Sequence, residues 1–186
     1  MTPTHPVFTV GHGNRSTEEL VAVLRTAGVG RLIDVRRYPG SRRHPHMSEE
    51  ALRRSLPDLG VAYEWWGDDL GGRRKKRADG PTRHPAWRVD AFRNYADHTD
   101  TPQFRDAVVR LEDTAAGAPL AVMCAETLWW RCHRRLIADA LVVRGDDVVH
   151  LLDVHARQPH RLPPTLRVGD DGWPVYDVGA DVALFD

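Results

Sequence analysis

Cysteine is scarce in this chain, with two residues among 186. Two cysteines cannot build the disulfide framework of a small secreted domain. Lysine is as scarce: Lys75 and Lys76 are the only ones, so arginine supplies nearly all the positive charge. Net charge of one sign is missing too, since 26 basic residues meet 26 acidic ones. That balance excludes a strongly polycationic protein, though not a local basic patch. No apolar run approaches the roughly 20 residues that span a bilayer. The opening MTPTHPVFTVGHGNRS lacks a basic region followed by a long apolar stretch, so no signal peptide is read. The expectation is a reduced, cytoplasmic protein with no membrane partner. No internal repeat is visible.

What is present suits a single core. Hydrophobic residues make up 41% of the chain, and 186 residues fit one domain, or one domain with a tail. Val7-Phe8-Thr9-Val10 reads as a buried strand. Ser16 with Glu19 three residues later forms a capping box. Leu20, Val23, Leu24 and Ala27 continue it at helical spacing until Gly28. Leu32-Ile33-Asp34-Val35 is a second strand, and this strand–helix–strand order implies parallel pairing with a right-handed crossover.

Further along, a helix is expected from Ser48 to about Leu56 and a strand over Val61–Trp65. The stretch from Gly67 to Pro85 is polar, basic and rich in Gly and Pro, and it reads as a long surface loop. Helices follow over Ala86–Ala96 and from Thr101 to near Gly117, the latter with Pro102 at its first position. Leu120–Met123 reads as a strand, Arg131–Val143 as a helix and Val148–Leu152 as the last clear strand. Residues 1–156 are read as the α/β domain with its basic loop at 67–85. Residues 157–186, rich in Pro, Gly and Asp, are read as a tail or an edge addition. The fold class is α/β: one three-layer domain with a mainly parallel sheet in a Rossmann-like or rhodanese-like layout.

Open parallel sheets bind ligands outside the carboxyl ends of their strands. The first strand is followed by Gly11-His12-Gly13-Asn14-Arg15, the second by Arg36 to Arg42, the Leu120 strand by Cys124-Ala125-Glu126. Reactive side chains thus gather at one sheet edge. Cys124, between a strand and a helix start, has the setting of a thiolate nucleophile or an anion site. It is equally a small residue that ends a strand. Glu126 suits a general acid–base or a dipole-complementing acid. His12 between two glycines can meet a ligand or simply sit in a turn. Asp34 in an apolar strand needs a partner, with Arg15 or Arg36 as the candidates, and a structural ion pair is as good a reading as a catalytic one. Asn14, Arg15, Arg36, Ser41, Arg131 and Arg134 are the residues suited to hold an anionic group.

Cys132-His133 invites a zinc reading with Cys124 and His12. The common structural sites use pairs separated by two to four residues, and that spacing is lacking, so no metal and no cofactor are expected. Cys132 is expected in the first turn of its helix facing the core, not paired with Cys124, while His133 and Arg134 reach back to the site. Arg73, Arg74, Lys75, Lys76 and Arg77 form the best footprint for a nucleic-acid backbone, although a solvated loop is the commoner role of such a run. Trp129 and Trp130 can stack on a base or anchor the helix start.

The ordered segments TVGHGNRS, LIDVRRYPGSRR, GVAYEWWGDDLGG, FRNYADH, MCAE and CHRRLIADAL resemble the domain-of-unknown-function 488 family over about residues 7 to 153. The resemblance implies one α/β domain with a Cys-Ala-Glu strand end and a Cys-His-Arg helix start. The family's pattern falls here on His12, Asn14, Arg15, Asp34, Arg36, Pro39, Ser41, Leu70, Gly71, Gly72, Cys124, Glu126, Cys132, His133 and Arg134. It implies no established activity. Gly13 departs from a serine-like position, and the loop after Gly72 is unusually basic. The layout is also similar to rhodanese-type sulfurtransferases, but the loop after Cys124 is bulky and partly acidic where theirs is Gly/Arg-rich. The expected function is an enzyme with catalytic Cys124, Glu126, His12, Asp34 and His133, acting on an anionic small molecule or nucleic acid. The alternatives are a non-catalytic nucleic-acid-binding module using residues 73–77, and sulfur transfer through Cys124.

Overall fold

The apolar runs of the sequence become parallel strands β1 (Val7–Gly11), β2 (Arg31–Asp34), β3 (Ala62–Trp65), β4 (Leu120–Cys124) and β5 (Val148–Leu151). The computed structural model describes residues 5–40 and 42–179. With β6 (Arg157–Pro159) as an antiparallel edge strand, the sheet order is β3-β2-β4-β1-β5-β6. The protein is an α/β fold with helices on both faces of a mainly parallel sheet. Among the described residues, no helix is long and apolar enough to cross a membrane.

Side-chain alternation along each strand divides the core between those faces. One face carries Phe8, Val10, Leu32, Ala121 and Met123 against helices α1 (Thr17–Thr26) and α2 (Glu49–Ser55). The other carries Val7, Ile33, Leu120, Val122 and Cys124. It is covered by α3 (Gly67–Leu70), α4 (Asp90–Thr99), α5 (Pro102–Gly117) and α6 (Arg134–Arg144). The capping box forms as its spacing requires: the Glu19 amide donates to Ser16 Oγ, and the Ser16 amide to the Glu19 carboxylate. Thr101 caps α5, and Gly145 closes α6 with φ 105°, a left-handed value that suits glycine.

Three boundaries differ from expectation. The segment from Gly67 begins with the helical turn α3, because Leu70 is needed in the core. It also ends packed, with His84 buried beneath Tyr176. α4 starts at Asp90, not Ala86, since the Ala86 amide donates to the Tyr176 carbonyl instead. α6 starts at Arg134, because Trp129–Arg131 forms a 3-10 turn and Cys132 is extended at φ −128°, ψ 151°. After Pro159, a hairpin of β7 (Leu166–Val168) and β8 (Pro174–Tyr176) buries Trp173 and Tyr176 in the core on the α6 side.

Candidate functional site

At the carboxyl edge of the sheet, the turn after β1 lies against the loop after β4. The His12 amide donates to the Cys124 carbonyl and the Gly13 amide to the Ala125 carbonyl. The approach is so close that a Cβ at Gly11 would sit 2.0 Å from the Glu126 carbonyl oxygen. Glycine there therefore sets the position of the loop that follows Cys124.

Beside that loop opens a cleft of about 300 Å³. Its floor holds Cys124, Cys132 and His133, whose two sulfurs and one ring nitrogen all lie within 4.8 Å of one another. Tyr38, Phe92 and Tyr95 supply aromatic walls, and Arg37, Arg73, Glu126 and Arg131 also line it. Both cysteines are free and buried, whereas Glu126 and Arg131 are exposed. His133 Nε2 donates to the Val35 carbonyl at 3.2 Å, which leaves Nδ1 as an acceptor facing both sulfurs.

The thiols differ in acidity. The neighbouring Cys132 sulfur and burial push Cys124 up to about 12. Burial works against ionisation of Cys132 as well, but the Cys124 thiol and the charge and amide of Arg134 outweigh it and hold Cys132 at about 6. The sequence leaves Cys124 open between a thiolate nucleophile and a buried strand-end residue, and its surroundings here favour the protonated form. Of the two, Cys132 is the more acidic and Cys124 the one held in its thiol form. Nor does Cys132 sit in the first helical turn. Its extended backbone, set by the preceding 3-10 turn, brings it beside Cys124. Metal-ligand spacing in the sequence reflects only local pairs, whereas the fold joins cysteines eight positions apart.

The remaining residues singled out in the sequence fall into separate places. Asp34 accepts from Arg36 through both oxygens, at 2.9 Å from Nε and 2.6 Å from Nη2, and from the Tyr63 hydroxyl at 2.7 Å. Arg36 Nη1 also donates to His12 Nε2 at 3.1 Å. Burial first and Arg36 second lower His12 to about 4, so it is neutral at pH 7. These four form a buried network around the Asp34–Arg36 ion pair, and Arg36 borders the cleft. Arg15 donates to the carbonyls of Gly11 and Leu152 and shares another groove with Asn14. Arg134 is buried, donating to the Glu126 carbonyl and, at 3.4 Å, to Thr9 Oγ1. Ser41 lies outside the described residues.

The basic run divides. Arg73 lines the cleft, and Arg74 is held by the carbonyls of Gly71 and Asp68. Lys75, Lys76 and Arg77 are exposed. Trp129 stacks on His150 with centroids 4.1 Å apart, an anchor for the loop rather than a free platform. Phe92 and Tyr95 join the site without having been expected from the sequence. Their three-residue spacing, which puts both on one face of α4, was the available signal.

Fold and site define an α/β protein with a thiol–imidazole cluster at the carboxyl edge of its sheet. The chain belongs to the family described as Domain of unknown function DUF488, whose model matches residues 16–141, more than half its length. No curated protein and no solved structure matches it.

Proposed function

We propose that the protein is an enzyme acting on an anionic, phosphate-containing substrate seated in the cleft above Cys124, Cys132 and His133. One observation carries this reading. Among the described residues, Arg37, Arg73 and Arg131 line the cleft without a carboxylate partner, whereas Arg36 beside them is paired with Asp34. Unpaired guanidinium groups around a concave site favour phosphate, which they can hold through two parallel hydrogen bonds. The aromatic walls suit a ring such as a nucleobase. Glu126 at the mouth is the general acid–base in this reading, and the buried thiol–imidazole floor provides the reacting groups. Sulfur transfer through Cys124 is less well supported, since burial and the Cys132 sulfur favour its protonated, non-nucleophilic form.

The test is calorimetric titration with inorganic phosphate and AMP at low salt. Binding is expected, and Arg73→Ala with Arg131→Ala should weaken it at least tenfold, about 1.4 kcal/mol. Undetectable binding, or binding unchanged in the double variant, would sink the proposal. A polymeric substrate is favoured by one further feature, the exposed Lys75, Lys76 and Arg77 just beyond Arg73. If a nucleic-acid strand runs there, neutralising these three should flatten the salt dependence of its binding.

A further inference from the structure

The floor of the cleft has the geometry of a cation site. His133 Nδ1 lies 3.8 Å from Cys124 Sγ and 3.6 Å from Cys132 Sγ. A tetrahedral zinc ion, with Zn–S near 2.3 Å and Zn–N near 2.0–2.1 Å, sets sulfur and nitrogen about 3.6 Å apart. The two separations are therefore already close to those of neighbouring ligands on one ion. The imidazole is also oriented for ligation. Its Nε2–H is engaged by the Val35 carbonyl, the usual outer support of a metal-binding histidine, and its free nitrogen faces the sulfurs.

The ring has little freedom to turn away. A Cβ at Gly72 would stand 2.9 Å from Nδ1, so the backbone of residue 72 presses on the ring from one side. The Tyr95 ring contacts it as well, with centroids 5.0 Å apart. Among the described residues, the donor that reaches the trio's sulfurs from outside is the Arg134 amide, 3.5 Å from Cys132 Sγ. Two thiols and an imidazole acceptor thus converge with little else in the protein to satisfy them.

We propose that Cys124, Cys132 and His133 bind one Zn²⁺, or a similarly thiophilic divalent ion, with its fourth coordination position facing the cleft. Three protein ligands and one open position form the pattern of a catalytic rather than a structural zinc site. Two thiolates and a neutral imidazole cancel the charge of the ion, and the thiol protons leave to solvent on binding. The role of the open position rests on the cleft being the substrate site, while binding of the ion does not.

The full chain, stripped with chelator under reducing conditions, would be titrated with Co²⁺ as a spectroscopic probe. One equivalent should bind, with sulfur-to-cobalt charge transfer and the intense visible bands of a tetrahedral ion, and Zn²⁺ should displace it. Cys132→Ala and His133→Ala should lower Zn²⁺ affinity at least about 100-fold, and Gly72→Ala, which keeps all three ligands, about 10-fold. Circular dichroism of each variant reports folding. If a ligand variant does not fold, Gly72→Ala decides, and unchanged affinity there overturns the site. Absent stoichiometric uptake by the reduced chain overturns it too. Inorganic phosphate added to the Co²⁺ form should then shift the visible bands. Uptake of metal with unshifted bands leaves the ion in place and removes the anion from its fourth position.

Discussion

Two buried polar clusters share one face of the sheet and use their hydrogen-bonding groups differently. One is the Cys124–Cys132–His133 trio. The other is a chain from α6 to β1: Asp139 accepts from His160 Nε2 at 2.8 Å, His160 Nδ1 from His150 Nε2 at 2.9 Å, and His150 Nδ1 from the Thr9 hydroxyl at 2.7 Å. The Tyr176 hydroxyl donates to the second Asp139 oxygen at 2.7 Å, and Arg134 donates to Thr9 Oγ1. Every acceptor in the chain meets a donor. It ties the segment after β5 to the α/β body through His160, just past β6, and Tyr176 in β8. In the trio, by contrast, two sulfurs and an acceptor nitrogen converge beside an open cleft with one donor reaching them from outside. A network whose acceptors all meet donors holds parts of a fold together, whereas ligand-type atoms that converge with few partners mark a place for something the chain itself does not supply.

The largest test of that contrast is in stability. Asp139→Ala leaves the Tyr176 hydroxyl and His160 without an acceptor in a buried site, and it should cost about 3–5 kcal/mol. Cys132→Ala removes one small buried side chain from the metal-free protein and should cost about 1 kcal/mol. Urea denaturation compares the two, and equal losses would remove the distinction between a structural chain and a ligand site.

Acid provides the next test, without mutation. Burial, more than any neighbouring charge, lowers His150 to about 3, and burial likewise lowers His98 to about 4. His12 is lowered to about 4 in the same way. In each case the unfolded chain takes up a proton before the folded one as pH falls below about 6.5. The stability these neutral histidines contribute is therefore full above that value and lost progressively toward pH 3–4. At pH 5 each should cost up to about 2 kcal/mol relative to pH 7. A urea midpoint that is flat or rises over that interval would show that the histidines are not held neutral.

How far the sequence foretells these clusters depends on whether the signal is local. The apolar runs of β1, β2 and β4, the Ser16–Glu19 box and the stop at Gly145 were legible, because each depends on neighbours within a few residues. So was the need of Asp34 for a cation, since a carboxylate in an apolar strand must find one, although the choice of Arg36 over Arg15 came only with the fold. Cys132 was not, because its direction depends on the 3-10 turn at Trp129–Arg131 that delays α6. The Asp139 chain was not either, since Thr9, Asp139, His150 and His160 come from distant elements with no shared spacing.

A smaller effect isolates the hairpin's share of the chain. Tyr176→Phe removes one donor from Asp139 and keeps the ring in the core. It should cost about 1–1.5 kcal/mol. Limited proteolysis should show earlier cleavage in residues 160–179 than elsewhere if the chain anchors that segment. Uniform cleavage would place the hairpin's anchorage in its apolar contacts alone.

The smallest expected effect has the opposite sign. Asp146, between α6 and β5, lies outside both clusters, and burial followed by the nearby Glu112 raises it to about 6. A carboxyl group raised in the folded state favours folding while protonated, and that contribution fades as pH climbs through about 6. Above that pH the native protein carries a carboxylate that burial and Glu112 disfavour, with Arg144 compensating only in part. Asp146→Asn should therefore stabilise the protein at pH 8, by about 0.5–1 kcal/mol once solvent screening is allowed for, and by nearly nothing at pH 4. Asp139→Asn should destabilise at both pH values, because the carboxylate it removes has two donors. If both substitutions shift the urea midpoint in the same direction at pH 8, hydrogen-bond satisfaction is not what separates a buried aspartate that holds the fold from one that strains it.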